Sequence, residues 1–184
     1  MQAATPHPLG HPLLARLPIA AGAVRLRPLR AVDIDDFLAC RSDPDVGRHQ
    51  GWQPVDQGAA LAVLQDASLP PWREGDWAQI GIARADDDGL VGDIGLLCEG
   101  PAQVRLGFSL ARAAQGRGWA QAAARACIDG LVVPPGMTRL RGITDARDGT
   151  SLCLLSPLGF LQTSSEDLVF RGEPCADITL EKIV

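Results

Sequence analysis

The stretch of this chain best equipped for chemistry is Gln115-Gly116-Arg117-Gly118-Trp119-Ala120. It follows the strand-like run Val104 to Leu110 and opens an alanine-rich run, Gln121 to Ile128, of helical composition. Two glycines one residue apart let a backbone turn tightly and approach a ligand with no Cβ in the way. The first N–H groups of a helix lack internal partners and lie at the positive end of its dipole, so an anion there gains hydrogen bonds and a favourable field. Arg117 adds a charge-assisted donor. The chemistry implied is capture of a phosphate.

Three glycine patterns compete for this turn. A P-loop needs Gly-x-x-x-x-Gly-Lys-Ser/Thr, and the chain has no Lys-Ser or Lys-Thr pair. A dinucleotide fingerprint needs a third glycine three residues after the second. Position 121 is Gln, and no ribose-binding acid follows at the expected distance. A plain tight turn between strand and helix stays open on glycine spacing alone.

The elements that must hold the turn are read from patterning. Val24 to Leu29 alternates apolar and basic residues as a half-buried strand does, and Asp33 to Cys40 reads as a short amphipathic helix stopped before Pro44. A second helix runs from Asp56 to Ala67, with Ala60, Leu61 and Leu64 on one face. Strands over 77–84 and 89–98 flank Asp86-Asp87-Asp88-Gly89, a hairpin signal because Asp and Gly tolerate positive φ. A strand over 103–110 enters a helix of about 116–131. Next come a strand over 138–144, a short helix over 150–156 that Pro157 should end at Leu155 or Ser156, and strands over 166–171 and 176–183. This order predicts a mixed α/β layer fold. Gly107, inside a strand, predicts a bulge that splays its neighbours and frees backbone N–H groups.

Composition narrows the function classes. The 184 residues suit a single domain, which we place at 21–184 behind a proline-rich arm at 1–20. Leu13, Leu14 and Leu17 could dock that arm on the body or on a second subunit, so monomer and homodimer both stay open. No apolar run approaches the ~18 residues that span a bilayer, and no signal peptide is evident at the N-terminus. Five cysteines, Cys40, Cys98, Cys127, Cys153 and Cys175, are odd in number and form no C-x-x-C pair, which predicts a reduced cytoplasmic protein without a zinc site. His7 and His11 lie among prolines that forbid a shared helical face, so no metal site is expected. A net charge of −5 argues against nucleic acid as a partner. It suits a cationic amine, although modest negative charge also serves solubility.

Read in order, these segments resemble the GNAT superfamily of acetyltransferases, and most closely its Rim-type branch, which acetylates N-termini of ribosomal proteins. Gln115-Gly116-Arg117-Gly118-Trp119-Ala120 matches the family's Gln/Arg-x-x-Gly-x-Gly/Ala motif. Val24 to Leu29, the Asp-Pro turn Arg41 to Val46, the hairpin from Trp77 to Leu97, and Asp145 to Phe160 ending in Leu158-Gly159-Phe160 resemble its other segments. The resemblance covers about residues 22–184. It implies a central, twisted, mostly antiparallel sheet of six to seven strands with about four helices. It implies that acetyl-CoA lays its pyrophosphate on Gln115 to Ala120 and its pantetheine arm along Phe108, Ser109 and Leu110, with Asp148 and Ser151 also near the cofactor. A backbone N–H near Phe108 or Ser109 would then polarise the thioester carbonyl, an effect typically worth ~3 kcal/mol per donor.

The resemblance also exposes departures. The chain has no tyrosine to protonate the leaving thiolate, and Leu155 stands at that position. Ser151 matches the serine of the Rim-type Asn-x-x-Ser and is the expected thiolate partner, while Asp148 replaces the Asn. Arg105 and Thr163 stand where Rim-type relatives often carry Glu. An α-amine of pKa ~8 is about 10% neutral at pH 7, against about 0.04% for a lysine at ~10.4, a gap of roughly 3.3 kcal/mol. With those acids missing, an N-terminal α-amine is the expected acceptor. A small amine such as an amino acid, polyamine or antibiotic is the alternative, and a non-catalytic acyl-CoA-binding module is a third reading. Asp93 and Glu99 are candidate bases acting through water. His49, Trp52, Trp72 and Glu99 are the candidate acceptor-side residues.

Overall fold

A computed structural model describes residues 13–52, 57–65, 73–132 and 137–184. Its eight-stranded sheet runs in the order β1 (Ile19–Ala21), β2 (Val24–Pro28), β3 (Trp77–Arg84), β4 (Leu90–Gly100), β5 (Gln103–Leu110), β6 (Arg139–Asp145), β8 (Glu173–Ile183), β7 (Leu161–Phe170). All neighbours pair antiparallel except β5 and β6. The sheet thus exceeds the six to seven strands expected. The three-residue edge strand β1 begins at Ile19, inside the stretch assigned to the arm. Leu17, just before it, packs on the main core.

Strand alternation divides the sheet into two faces. Ala78, Ile80 and Ile82 of β3, Ile94 and Leu96 of β4, and Val104 and Leu106 of β5 are buried in the larger core. Helix α4 (Trp119–Cys127) closes that core with Ala123, Ala124 and Cys127, all fully buried. Small side chains there let the helix approach the sheet closely. A π-helical turn, Ile128–Val132, continues α4. On the other face α1 (Ile34–Ser42) and α3 (Gln57–Gln65) enclose a smaller core of Leu29, Phe37, Ala60, Leu64 and Leu90, and the short α2 (Pro44–Gly47) follows α1. A last helix, α5 (Gly149–Leu155), runs directly into the 3₁₀ turn Ser156–Leu158.

Strand β7 is ten residues long where patterning predicts only 166–171. It is an edge strand with almost every residue exposed, so it has no buried face to print an alternation. No register shift falls at Gly107, which pairs regularly with Gly95; the shift between β4 and β5 lies at Cys98/Gly100. The bulge expected at Gly107 is therefore absent. A Cβ at Gly107 would also meet nothing within 4 Å, so the glycine does not relieve crowding either.

One buried ionic node ties the first elements together. Arg27 of β2 donates to both Asp33 carboxylate oxygens at 2.7 and 2.8 Å, and reaches the Asp88 carboxylate at 3.1 Å and its carbonyl at 2.9 Å. Asp88 holds φ at +63° in the β3–β4 turn, so the node joins β2, the approach to α1 and the hairpin tip. Arg27 and Asp33 are both about 95% buried. Removing one partner of such a pair strands a buried charge. Arg27→Ala should lower unfolding free energy by about 3–5 kcal/mol in urea denaturation.

Candidate functional site

The site is set by where β5 and β6 part. They pair in parallel only over Gln103–Arg105 with Arg139–Arg141. Beyond that, β5 stays with β4 to Leu110 while β6 stays with β8 to Asp145. No strand among the described residues pairs with the β6-facing edge of β5 from Leu106 onward. Two cavities of about 620 and 640 Å³ open at this fork. Both are lined by Phe108, Ser109, His49 and Gln50, so they meet beside the end of β5.

The first cavity contains the glycine turn. Gly116 and Gly118 both take left-handed conformations, at φ +73° and +75°, and Gly118 caps α4. A Cβ at either would meet nothing within 4 Å, so backbone conformation rather than crowding demands glycine. Gln115 braces the turn by donating from Nε2 to the Leu110 carbonyl at 2.9 Å. Trp119 and Ala120 line the cavity with the glycines. Arg117 does not line it. Its guanidinium lies 5.1 Å above the Trp119 ring, so it packs on the turn from outside. Arg112 ion-pairs with Asp43 at 3.0 Å and with Asp45, fastening α2 to this end of the site.

Helix α5 supplies the facing wall. Asp148 is its N-cap: the carboxylate accepts from the Ser151 backbone N–H at 3.1 Å and from the Ser151 hydroxyl at 2.6 Å. Both residues line the first cavity together with Cys153, an exposed thiol. Ser151 Oγ–H is thus committed to Asp148 at rest. To serve any other acceptor it must turn away from that carboxylate.

The second cavity lies on the α1 side of the sheet. Its walls include Phe37, Trp52, Trp77, Phe108 and Phe170, and Gly107 opens into it. Trp77 lies over Gly95, where a Cβ would come within 2.9 Å of its ring. Trp77 was missed because its position at the start of a strand carries no signal beyond alternation. Trp72 lies outside the described residues. Arg171, in the β7–β8 turn, donates to the Trp52 carbonyl at 3.4 Å and holds the loop that carries Trp52.

Most charges in this cavity are paired. Arg41 bonds Asp93 and stacks 4.5 Å from the Trp52 ring. Burial raises the Asp93 carboxyl, against the opposing pull of Arg41 and a hydrogen bond from Gln79. Glu99 lines neither cavity. It accepts from Gln103 at 2.8 Å and from Arg105 Nε at 2.6 Å. Burial raises Glu99, but those bonds and the charges of Arg105 and Arg141 leave it below its ordinary value. Thr163 lines neither cavity, and Arg105 lines the second. Asp145 and Asp177 face each other across β6 and β8, and both line the cavity. The hydrogen bonds from Arg147, against the effect of burial, keep Asp145 well below the usual carboxylate range. Asp177 has no cationic partner among the described residues, and burial with the charges of Asp145 and Glu166 raises its carboxyl.

Comparison with known proteins bears on this arrangement. A family model described as an acetyltransferase (GNAT) domain matches residues 23–161. A GNAT-family acetyltransferase from Bacillus anthracis superposes with a TM-score of 0.78 at 14% identity, over 91% of this chain and 98% of that one. RimL, a ribosomal alpha-N-protein acetyltransferase in complex with coenzyme A, superposes with a TM-score of 0.80 at 13% identity, over 91% and 98%. A spermidine N-acetyltransferase from Vibrio cholerae, in complex with CoA and spermine, gives 0.75 at 13%, over 88% and 95%. No curated protein matches the sequence.

The glycine conformations yield a direct test. An L-residue in the left-handed region costs roughly 1–2 kcal/mol, and a β-branched one is worst placed there. Gly118→Val should therefore weaken coenzyme A binding about tenfold in calorimetry while leaving the far-ultraviolet spectrum of the fold intact.

Proposed function

This chain belongs to the GNAT acetyltransferase family, and on that footing we propose that it transfers the acetyl group of acetyl-CoA directly to a protein N-terminal α-amine. One observation carries the reading: a glycine-turn cavity and an aromatic, acid-bearing cavity meet at Phe108 and Ser109. In this reading the turn from Gln115 to Ala120 takes the CoA pyrophosphate, and the unpaired edge of β5 takes the pantetheine arm. Main-chain N–H groups at Phe108 or Ser109 polarise the thioester carbonyl. Ser151 turns from Asp148 to donate to the departing thiolate. The acceptor enters from the side of Trp52 and Trp77. The chain's unpaired cysteines support a cytoplasmic setting for the reaction.

An α-amine is favoured because it demands least of the site. Asp93 is tied to Arg41, and Glu99 to Arg105. Deprotonating a lysine would need roughly 3.3 kcal/mol more help than an α-amine. A small polycationic amine is the second reading, supported by three carboxylates, Asp93, Asp145 and Asp177, in the lining of one cavity.

Calorimetry with acetyl-CoA followed by thiol release over peptides and small amines separates these readings. Turnover confined to peptides with free N-termini supports the first, and turnover on polyamines alone supports the second. Tight binding with no turnover indicates a non-catalytic CoA-binding module, and no CoA binding overturns the reading entirely. Ser151→Ala should lower kcat by about 10²-fold with acetyl-CoA affinity little changed. Gly107→Leu, which fills open space in the acceptor cavity, should raise the amine KM several-fold at unchanged CoA affinity.

A further inference from the structure

The acids expected by resemblance at positions 105 and 163 are Arg and Thr, so the group that deprotonates the amine must come from elsewhere. Four features single out one side chain. His49, in the turn that follows α2, is among the residues shared by both cavities. Its Nδ1 is 3.4 Å from Asp145 Oδ2. That nitrogen is buried and makes no hydrogen bond within the usual limits. Asp145 in turn is locked by Arg147, which donates to it from its backbone N–H at 2.8 Å and from Nη2 at 2.6 Å.

We propose that His49 is the general base of acetyl transfer, oriented by Asp145. The proposal rests on the acetyltransferase reading above. An Nδ1–H facing a carboxylate leaves the Nε2 lone pair for the substrate, the logic of an imidazole held by a buried acid. A separation of 3.4 Å suits a free site, because such contacts tighten when substrate arrives.

The step balances as follows. The substrate ammonium gives one proton to Nε2, and the freed lone pair attacks the thioester carbonyl carbon as the C=O π electrons move to oxygen. Collapse restores C=O and breaks the C–S bond, with the electron pair leaving on sulfur. The second amine proton passes to the thiolate, and the imidazolium returns its proton to water. No other reactant is required.

The charges around His49 leave it this role. Arg41 is neutralised by Asp93, Arg48 by Asp45, and Arg105 by Glu99. Arg147 is shared between Asp145 and Glu173. Asp177, across from Asp145, is the acid left to hold an incoming ammonium near the imidazole.

The test uses the full chain with acetyl-CoA and whichever of the peptides or small amines the wild type turns over. Only the unprotonated form of a general base accepts a proton, so wild-type kcat should fall towards acid pH. His49→Gln should lower kcat by roughly 10²-fold at neutral pH, abolish that acid limb, and leave the CoA dissociation constant and the melting temperature unchanged. The loss should shrink for an arylamine acceptor, which is already neutral at pH 7. His49→Asn gives the same readouts should the Gln variant fold poorly. If an active wild type keeps kcat within about threefold and keeps its acid limb in either variant, the assignment is overturned while the acetyltransferase reading stands. If Asp177→Asn removes the limb instead, the base is Asp177 and the assignment is likewise overturned. A wild type that turns over no amine sinks both.

Discussion

Parallel pairing between β5 and β6 lasts three residues, and the rest of the molecule is arranged around its end. A parallel neighbour requires a crossover, and the chain supplies it as α4, which packs on the larger core. Because α4 follows β5 through the short connection 111–118, the N–H groups of its first turn face the first cavity at the mouth of the fork. A fully paired β5 would have no open edge, and the two cavities would lose their common wall. The short pairing therefore places the glycine turn, an unpaired strand edge and the second cavity side by side.

Charge pairing keeps that opening in shape. Asp93 and Asp145 lie almost fully buried in the walls, where an unpaired carboxylate is costly, and each is matched by an arginine, Asp93 from a distant segment and Asp145 from two residues on. Arg41 reaches Asp93 from α1 across the sheet face, under the ring of Trp52. Arg147 clamps Asp145 just past the end of β6 and extends to Glu173 of β8. Arg112 bonds Asp43 and Asp45, so the loop bearing His49 is fastened to the segment before the glycine turn. These pairs remove most of the acids from proton chemistry. They leave the His49 imidazole and, among the described residues of the second cavity, one carboxylate with no cationic partner, Asp177.

Local chemistry was legible wherever a backbone demand selected a residue type. The glycine pair announced a tight turn, and the structure builds it with both glycines at positive φ. Asp-Gly in the hairpin tip and the Pro-limited helix ends were readable for the same reason. Alternation located β2, and strand-like runs with the hairpin signal located β3 to β6, because each has a buried face. It failed for β7, which has none. Gly107 was read as a bulge, yet the fork beside it comes from the end of a strand pairing, a relation between segments about thirty-five residues apart.

The sequence by itself carried the tight glycine turn, the mixed α/β class and, through its resemblance to known motifs, the family to which the chain belongs. The turn and the fold class follow from local backbone and periodicity rules that neighbouring residues satisfy together. Which charges are free was decided only by tertiary structure. Glu99 and Asp93 look like available bases in the sequence, but arginines distant in the chain or brought in by strand pairing engage them. His49 is an isolated histidine in a loop until β6 brings Asp145 beside it. Short-range rules cannot state such pairings, because they depend on which strands neighbour each other across the sheet.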